Sequence, residues 1–548
     1  MSKKVLKTLV VLVLVLGSAV LCRAQTKSLT ILHTNDTHST LLPFGHPSMP
    51  GPNGPPGEYG GIARMAALIK EIRLSEPNVL VLNAGDVFTG SFEFNKYLGY
   101  AELKIMEGLY DAMALGNHEF DLGMNVLAGV VSGALAGGEP VGLPLLCANI
   151  NFAGHPLSSM IRPSIIKEID GLKIGIFGLI EENPVDFGAE VIGRFSGAVF
   201  GVAQAQAADL KAAGCDIVIC LSHLGTRSDE AGLTEVPGLD IVVGGHSHDL
   251  FDSAVMLGGK IIVQAGDHGR YLGELDVDYE AGQGVTLRGW KAWPIDSRVK
   301  ADPAVQARVN ELRDGVVADP RFGPVYSQFV GLAVEDIAHD WPSTGPNRDT
   351  PLGNLVADAM KMAVAGAGFP VDCVLDAHGY TEFGIPAGRV VGNDVMRAVP
   401  YGYDPASGLG FKLVVAPLPG ALLLGGLEYS TSMVEYTSSL CLQVSGLTFA
   451  YDSSKPPASQ LGQISRLDPM SVKVGEEFVA LNPGKYYCVV MTDQVFAFLN
   501  SLVGGQLVKL DTGILEYNAV RDYMQSLHSV SYASEGRVRD TKPAAAVK

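Results

Sequence analysis

The stretch LDIVVGGHSH, Leu239 to His248, sets an apolar, β-branched run against two glycines and then two imidazoles at alternate positions. A short apolar run closed by glycine reads as a buried strand, and alternate residues at a strand end can aim two side chains towards one region. Similar runs recur at SLTILHTND (Ser28–Asp36), NVLVLNAGD (Asn78–Asp86), KIGIFGLI (Lys173–Ile180) and DIVICLSH (Asp216–His223). Between them, YGGIARMAALIKEIRL (Tyr59–Leu74) and VFGVAQAQAADLKAAG (Val199–Gly214) read as helices. Strands alternating with helices from Ser28 to about Trp290 predict a layered α/β domain, whose ligands gather at the carboxyl ends of its strands.

The unusual residues fall at those ends. They are Asp36 and His38 in NDTH, Asp86 in AGD, Asn117 and His118 in GNHEFD, His223 in LSHLG, and His246 with His248 in GGHSH. Each alone has an ordinary reading: an Asp after a strand is a turn former or helix cap, and a single His is a hydrogen-bonded, half-buried group. Together, Asp36, His38, Asp86, Asn117, His223, His246 and His248 would collect oxygen and nitrogen donors on one sheet edge. Carboxylate, amide and imidazole without thiolate suit Zn²⁺, Mn²⁺, Co²⁺ or Fe²⁺. The set exceeds what one catalytic ion with an open position needs, but suits two divalent ions sharing a carboxylate. Two such ions can hold a bridging hydroxide and clamp the attacking and leaving oxygens of a displacement at phosphorus.

In their order along the chain, ILHTNDTH, NAGD, ALGNHEFD, SHLG and GGHSH resemble the catalytic domain of the 5'-nucleotidases, within the calcineurin-like metallophosphoesterases. The resemblance implies a four-layer α/β/β/α domain followed by an α+β substrate domain. It implies one ion held by Asp36, His38, Asp86 and His248 and a second by Asp86, Asn117, His223 and His246, with Asp86 bridging. It also implies that His118 faces the substrate and that Asp121 orients and charges it, a catalytic dyad. An imidazole paired with a carboxylate is held in one tautomer and made a better proton-transfer partner. Glu119 and Phe120 read as structural.

At 548 residues two domains are expected. Residues 1–24 read as a secretory signal: Lys3, Lys4 and Lys7 precede an uncharged run from Thr8 to Cys22, with small residues Cys22 and Ala24 before the cleavage point. The run is shorter than the roughly 20 residues of a membrane span, and Leu21 is a poor neighbour for a lipidated Cys22. The expected location is therefore periplasmic or secreted. Residues 25–300 form the expected catalytic domain, 301–325 a connector containing a polar helix from Asp302, and 326–548 the substrate domain. The apolar PGALLLGGLEYS reads as a buried helix, not a span. A formal charge of −18 disfavours nucleic acid and anionic membrane as partners. The six cysteines after Ala24 include no CxxC pair, which argues against a zinc knuckle or thioredoxin-type site.

TPLGNLVADAM (Thr350–Met360) and DTGILEYNAVRDYM (Asp511–Met524) extend the resemblance through the second domain. Its substrate motifs differ. DAHGYTEFG (Asp376–Gly384) stands where the family has Asn-Gly-Gly-Gly-x-Arg, and DQVFAFLNSLVGG (Asp493–Gly505) lacks the family's Gly-Gly-Asp-Gly turn. Tyr401 in PYG takes the place of a stacking Phe. Phe498 is the candidate for the other aromatic, and Arg348, with Arg389 and Arg397, for anion contacts. The expected activity is hydrolysis of a small phosphate ester, by resemblance a 5'-nucleotide or UDP-sugar. The alternatives are a 2',3'-cyclic nucleotide or sulfur-linked sulfate as substrate, or a binding protein on the same fold that no longer turns over.

Overall fold

Among the described residues, thirteen strands of the first domain build two sheets packed face to face. They are β1 (Lys27–Thr34), β2 (Val79–Asn83), β3 (Ala112–Ala114), β4 (Leu145–Leu146), β5 (Ile161–Arg162), β6 (Ser164–Ile169), β7 (Leu172–Ile180), β8 (Ile217–His223), β9 (Ile241–Gly244), β10 (Val255–Leu257), β11 (Lys260–Val263), β12 (Tyr271–Glu280) and β13 (Gly284–Pro294). The first sheet has the order β13-β12-β1-β2-β3-β4-β5 and the second β10-β11-β9-β8-β7-β6. The computed structural model describes residues 26–45, 58–183, 187–435, 437–460, 462–475 and 477–542. The expected signal (residues 1–24) and the Pro/Gly-rich stretch 46–57 lie outside the described residues.

Strand periodicity explains the layering. Leu29, Ile31, Leu80 and Leu82 meet Ile174, Ile176, Ile217 and Ile219 in the core between the sheets. Leu32 and Val81, on the opposite face, pack on the helix Ile62–Ser75 through Met65, Ala66 and Ile69. Val218 and Cys220 pack on the helix Val199–Ala212 through Ala203, Ala207 and Leu210. Central strands are therefore apolar on both faces, as sheets covered twice require. Helix, sheet, sheet and helix make four layers.

The second domain centres on a five-stranded sheet containing Cys373–Ala377, Lys412–Pro419 and Tyr486–Thr492. Helices Pro351–Gly366 and Glu516–Leu527 cover one face, and Gly420–Ser430 with Asp493–Leu502 the other. PGALLLGGLEYS thus lies largely in a helix that buries Leu423 and Leu427. Among the described residues no helix is long and apolar enough to cross a membrane. The helix Pro303–Ala318 joins the halves, capped by Asp302, whose Oδ1 accepts from Ala304 and Val305 N–H at 3.1 and 3.0 Å. Phe92 of the first domain is fully buried against Phe322, Tyr326 and Tyr517, and Tyr326 donates to Glu93 at 2.7 Å. These contacts set the second domain against the strand ends of the first.

Candidate metal centre

Both sheets deliver side chains to one edge. Asp36, Asp86 and Asn117 follow the parallel neighbours β1, β2 and β3; His223 closes β8, and His246 and His248 follow its parallel neighbour β9. Asp36 (φ 48°), His38 (43°), Asp86 (54°), His246 (75°) and His248 (59°) all sit in the left-handed region, where each non-glycine residue costs about 1–3 kcal/mol. That backbone turns N–H groups inward. His246 N–H lies 3.0 Å from both oxygens of Asp36, and His118 N–H donates to Asp86 Oδ1 at 2.9 Å. A Cβ on Gly116 would stand 2.1 Å from Asp86 Oδ1, which accounts for the glycine in GNHEFD.

The donor atoms converge in two groups, Asp36–His38–His248 and Asp86–His223–His246, each with its ligand atoms within 4.8 Å of one another. Asn117 Oδ1 lies 3.2 Å from His223 Nε2 and 3.1 Å from His246 Nδ1. All seven donors expected from the sequence therefore meet. Outer groups orient three of the rings. His223 Nδ1–H donates to the Ala84 carbonyl at 2.7 Å and His38 Nδ1–H to the Phe88 carbonyl at 3.3 Å; His248 Nδ1 lies 3.3 Å from Asp267 Oδ2. Each arrangement leaves Nε2 facing the cluster, the second-layer support expected of metal-binding imidazoles.

Burial, with the neighbouring His268 and His248, holds His38 well below its usual range, and burial beside His223 lowers His246 to about 3. Both present neutral rings. At His223 burial acts the same way, but Asp86 and Asp36 outweigh it and raise the ring to about 9; at His248 Asp36 and Asp267 overcome burial and raise it to about 10. The buried carboxylates thus draw positive charge onto whatever faces them. This donor set fits divalent cations at both groups.

Glu119 holds the loops together. Its Oε1 accepts from Val87 and Phe88 N–H at 2.8 and 3.1 Å, and its Oε2 from Gly116 and Asp86 N–H at 2.6 and 3.1 Å. Burial and the Asp86 charge push its carboxyl up to about 7, against the pull of those donors. His118 begins beside the centre and turns outward: its Nδ1 lies 2.8 Å from Asp121 Oδ2, which also accepts from Thr89 Oγ1 at 2.7 Å. The His118 ring stacks on Tyr401 of the second domain at 5.5 Å. Next to this pair opens a cleft of about 340 Å³, lined also by Tyr380, Tyr403, Phe411 and Lys412.

Four expected substrate residues lie outside the cleft lining. Asp493 and Gln494, at the start of the helix Asp493–Leu502, line the cleft, but Phe498 lies a turn further on, packs on Tyr429 at 5.6 Å and faces a separate apolar pocket. Arg348 spends its guanidinium on the Gly345 and Asn347 carbonyls at 3.0 and 2.8 Å, outside the cleft lining. Arg389 donates to Ser327 O at 2.6 Å. Arg397 instead lines a small cavity with His38, His268, Glu382 and Tyr401. Sequence reading missed Asn35, Asp267, His268 and Glu382. Asn35 donates to Asp36 Oδ2 at 2.6 Å and to Gly266 O at 2.5 Å. Asp267 and His268 follow β11 in AGDHG, the same strand-then-AGD form that marks Asp86.

A family model described as calcineurin-like phosphoesterase matches residues 29–250, and one described as the 5'-nucleotidase C-terminal domain matches residues 334–497. The chain is 28% identical to the 5'-nucleotidase of Homo sapiens, over 96% of this chain and 93% of that one. It is 26% identical to the trifunctional nucleotide phosphoesterase protein of Bacillus subtilis over 93% of its own length, spanning 35% of that longer protein. Among solved structures it is similar to a 5'-nucleotidase precursor from Thermus thermophilus, with a TM-score of 0.81 and 29% identity over 94% of this chain and 100% of that one.

Proposed function

The chain belongs to the 5'-nucleotidase family, a calcineurin-like phosphoesterase domain followed by the family's C-terminal domain, and on that premise we propose that it releases phosphate from 5'-nucleotides or nucleotide diphosphate sugars. The observation that carries the reading is the pair of donor groups sharing one edge, with His118 between them and an aromatic cleft. Asp36, His38 and His248 would hold one divalent ion and Asn117, His223 and His246 a second, with Asp86 available to both. When bound, the ions supply Lewis acidity at the phosphoryl group and lower the pKa of water.

The remaining chemistry belongs to the side chains. Asp121 accepts from His118 Nδ1–H, which assigns Nε2 to the substrate. There, protonated at Nε2 as well, the ring hydrogen-bonds the phosphoryl group and passes that proton to the ester oxygen as its bond to phosphorus breaks, while water adds to phosphorus and releases a proton to solvent, from which Nε2 is protonated again. Tyr401 offers a face for a base, and the 340 Å³ cleft is large enough for a nucleoside. Export to the periplasm or medium is part of the proposal. It is supported by the lysines and uncharged run at the start of the chain and tested by N-terminal sequencing of protein recovered outside the cytoplasm.

The test is phosphate release with Mn²⁺, Zn²⁺ or Co²⁺ from AMP, UDP-glucose, 2',3'-cyclic AMP and an aryl phosphate, with Asp86→Ala as control. Preference for AMP or UDP-glucose, abolished in the control, is expected. Turnover of aryl phosphate alone would keep the phosphoesterase and reject the nucleotide class.

A further inference from the structure

The turn Asp376–Gly384 departs from the family pattern, and it also carries a second-domain carboxylate to the metal centre. His248, His268 and Glu382 bring their ligand atoms within 4.8 Å of one another, the same closeness that defines the two donor groups above. His248 belongs to both this trio and the group of Asp36 and His38. Glu382 Oε2 accepts from the Tyr401 hydroxyl at 2.7 Å, and Oε1 lies 3.8 Å from His268 Nε2. The His268 backbone N–H donates to the Asp36 carbonyl at 2.6 Å, and the residue adopts a left-handed φ of 48°. Its Nδ1 is 3.2 Å from Asp267, so Nε2 is the nitrogen turned towards Glu382. His38, His268, Glu382 and Tyr401, with Arg397 and Phe383, line a cavity of about 10 Å³, the order of space that one water-sized particle needs.

We infer that Glu382 and His268 complete the coordination of the cation held by Asp36, His38 and His248, so that one of the two metals is ligated from both domains. The inference rests on the dinuclear reading above and adds two ligands to it. Arg397 lines the same cavity and its charge is favoured by Glu382, but it is stacked against Phe44 and Phe383 at 3.8 and 4.5 Å, and among the described residues no Lys or Arg stands within salt-bridge distance of Glu382. Because the carboxylate arrives from the second domain, this metal is bound most tightly when the domains are together. The other is held by first-domain residues alone.

The test is calorimetric titration of the chelator-stripped full chain with Zn²⁺. Glu382→Gln keeps the volume and an acceptor for Tyr401 but removes the charge; His268→Gln removes the ring nitrogen that would bind the metal without touching Glu382. Wild-type protein should take up two equivalents. Each variant should lose about tenfold or more in affinity at one equivalent and keep the other within about threefold, with an unchanged circular dichroism spectrum. Unchanged affinity at both equivalents, or an equal loss from both, overturns the inference while leaving the dinuclear reading intact. Failure of the wild-type chain to bind Zn²⁺ would remove the dinuclear reading itself, and the inference with it.

Discussion

Glu119→Gln perturbs the metal centre without touching a metal-facing atom. The carboxylate accepts four backbone N–H groups, two at each oxygen, and its side chain is buried. A glutamine keeps one oxygen. In either orientation its NH₂ opposes two N–H donors, from Val87 and Phe88 or from Asp86 and Gly116. Each buried donor left without an acceptor costs about 1–3 kcal/mol, so the first domain should lose about 2–6 kcal/mol. Asp86 should also lose its place, because its left-handed backbone is held there by these bonds. The assay is urea unfolding of the metal-free protein by circular dichroism, paired with Zn²⁺ titration. A loss below about 1 kcal/mol together with wild-type Zn²⁺ affinity would refute the reasoning.

His118→Ala should lower kcat by about 10²–10⁴-fold while Zn²⁺ uptake stays at the wild-type level, and Asp121→Asn should lower kcat less; a variant that loses metal instead would place His118 in the wrong role. Tyr401→Ala should raise KM for AMP by about 5- to 150-fold, the value of one base stack, and leave KM for an aryl phosphate far less affected; equal effects on both would exclude base stacking. Glu102, buried and bonded to Ser39, has its carboxyl pushed up by burial from 4.5 to about 7. Its native form therefore holds a proton that the unfolded chain has released, and its contribution to stability, full below about pH 4.5, is lost as pH rises through 7. Glu102→Gln should flatten the fall in stability between pH 5 and pH 8 by up to about 1.4 kcal/mol per pH unit; parallel wild-type and variant profiles would show that Glu102 does not titrate there.

What could be read from the sequence follows from how locally each feature is encoded. Leu29, Ile31, Leu80 and Leu82 alternate with period two, and the polar residues after them fall at strand ends whatever the rest of the chain does. The layered domain and its donor-bearing edge are therefore visible in segments of ten residues. Glu119 could be read as structural from its place in the turn, but not as the acceptor for the Asp86 loop, because Asp86 lies 33 positions away and the bond exists only once β2 and β3 pair. Phe498 illustrates the opposite error. A helix starting at Asp493 turns Asp493 and Gln494 to the cleft and carries Phe498 round to Tyr429, so its closeness in sequence to cleft residues says little about its direction.

Glu382 was hidden for a different reason. A comparison with a motif records that the glycines and the arginine are missing, not what the replacement does, and a glutamate in a turn carries no periodic signal. The packing of Phe92 against Tyr326 and Tyr517, together with that of Phe383 against Phe44 and His268, seats the second domain on the first and brings that turn to His268. Where the motif of the resemblance carries an arginine, this turn carries Glu382, whose Oε1 lies 3.8 Å from His268 Nε2 beside the candidate metal centre. A loss of Zn²⁺ affinity at one equivalent in Glu382→Gln would therefore make the charge at that edge depend on the contact between the domains, which no motif comparison within one domain can register.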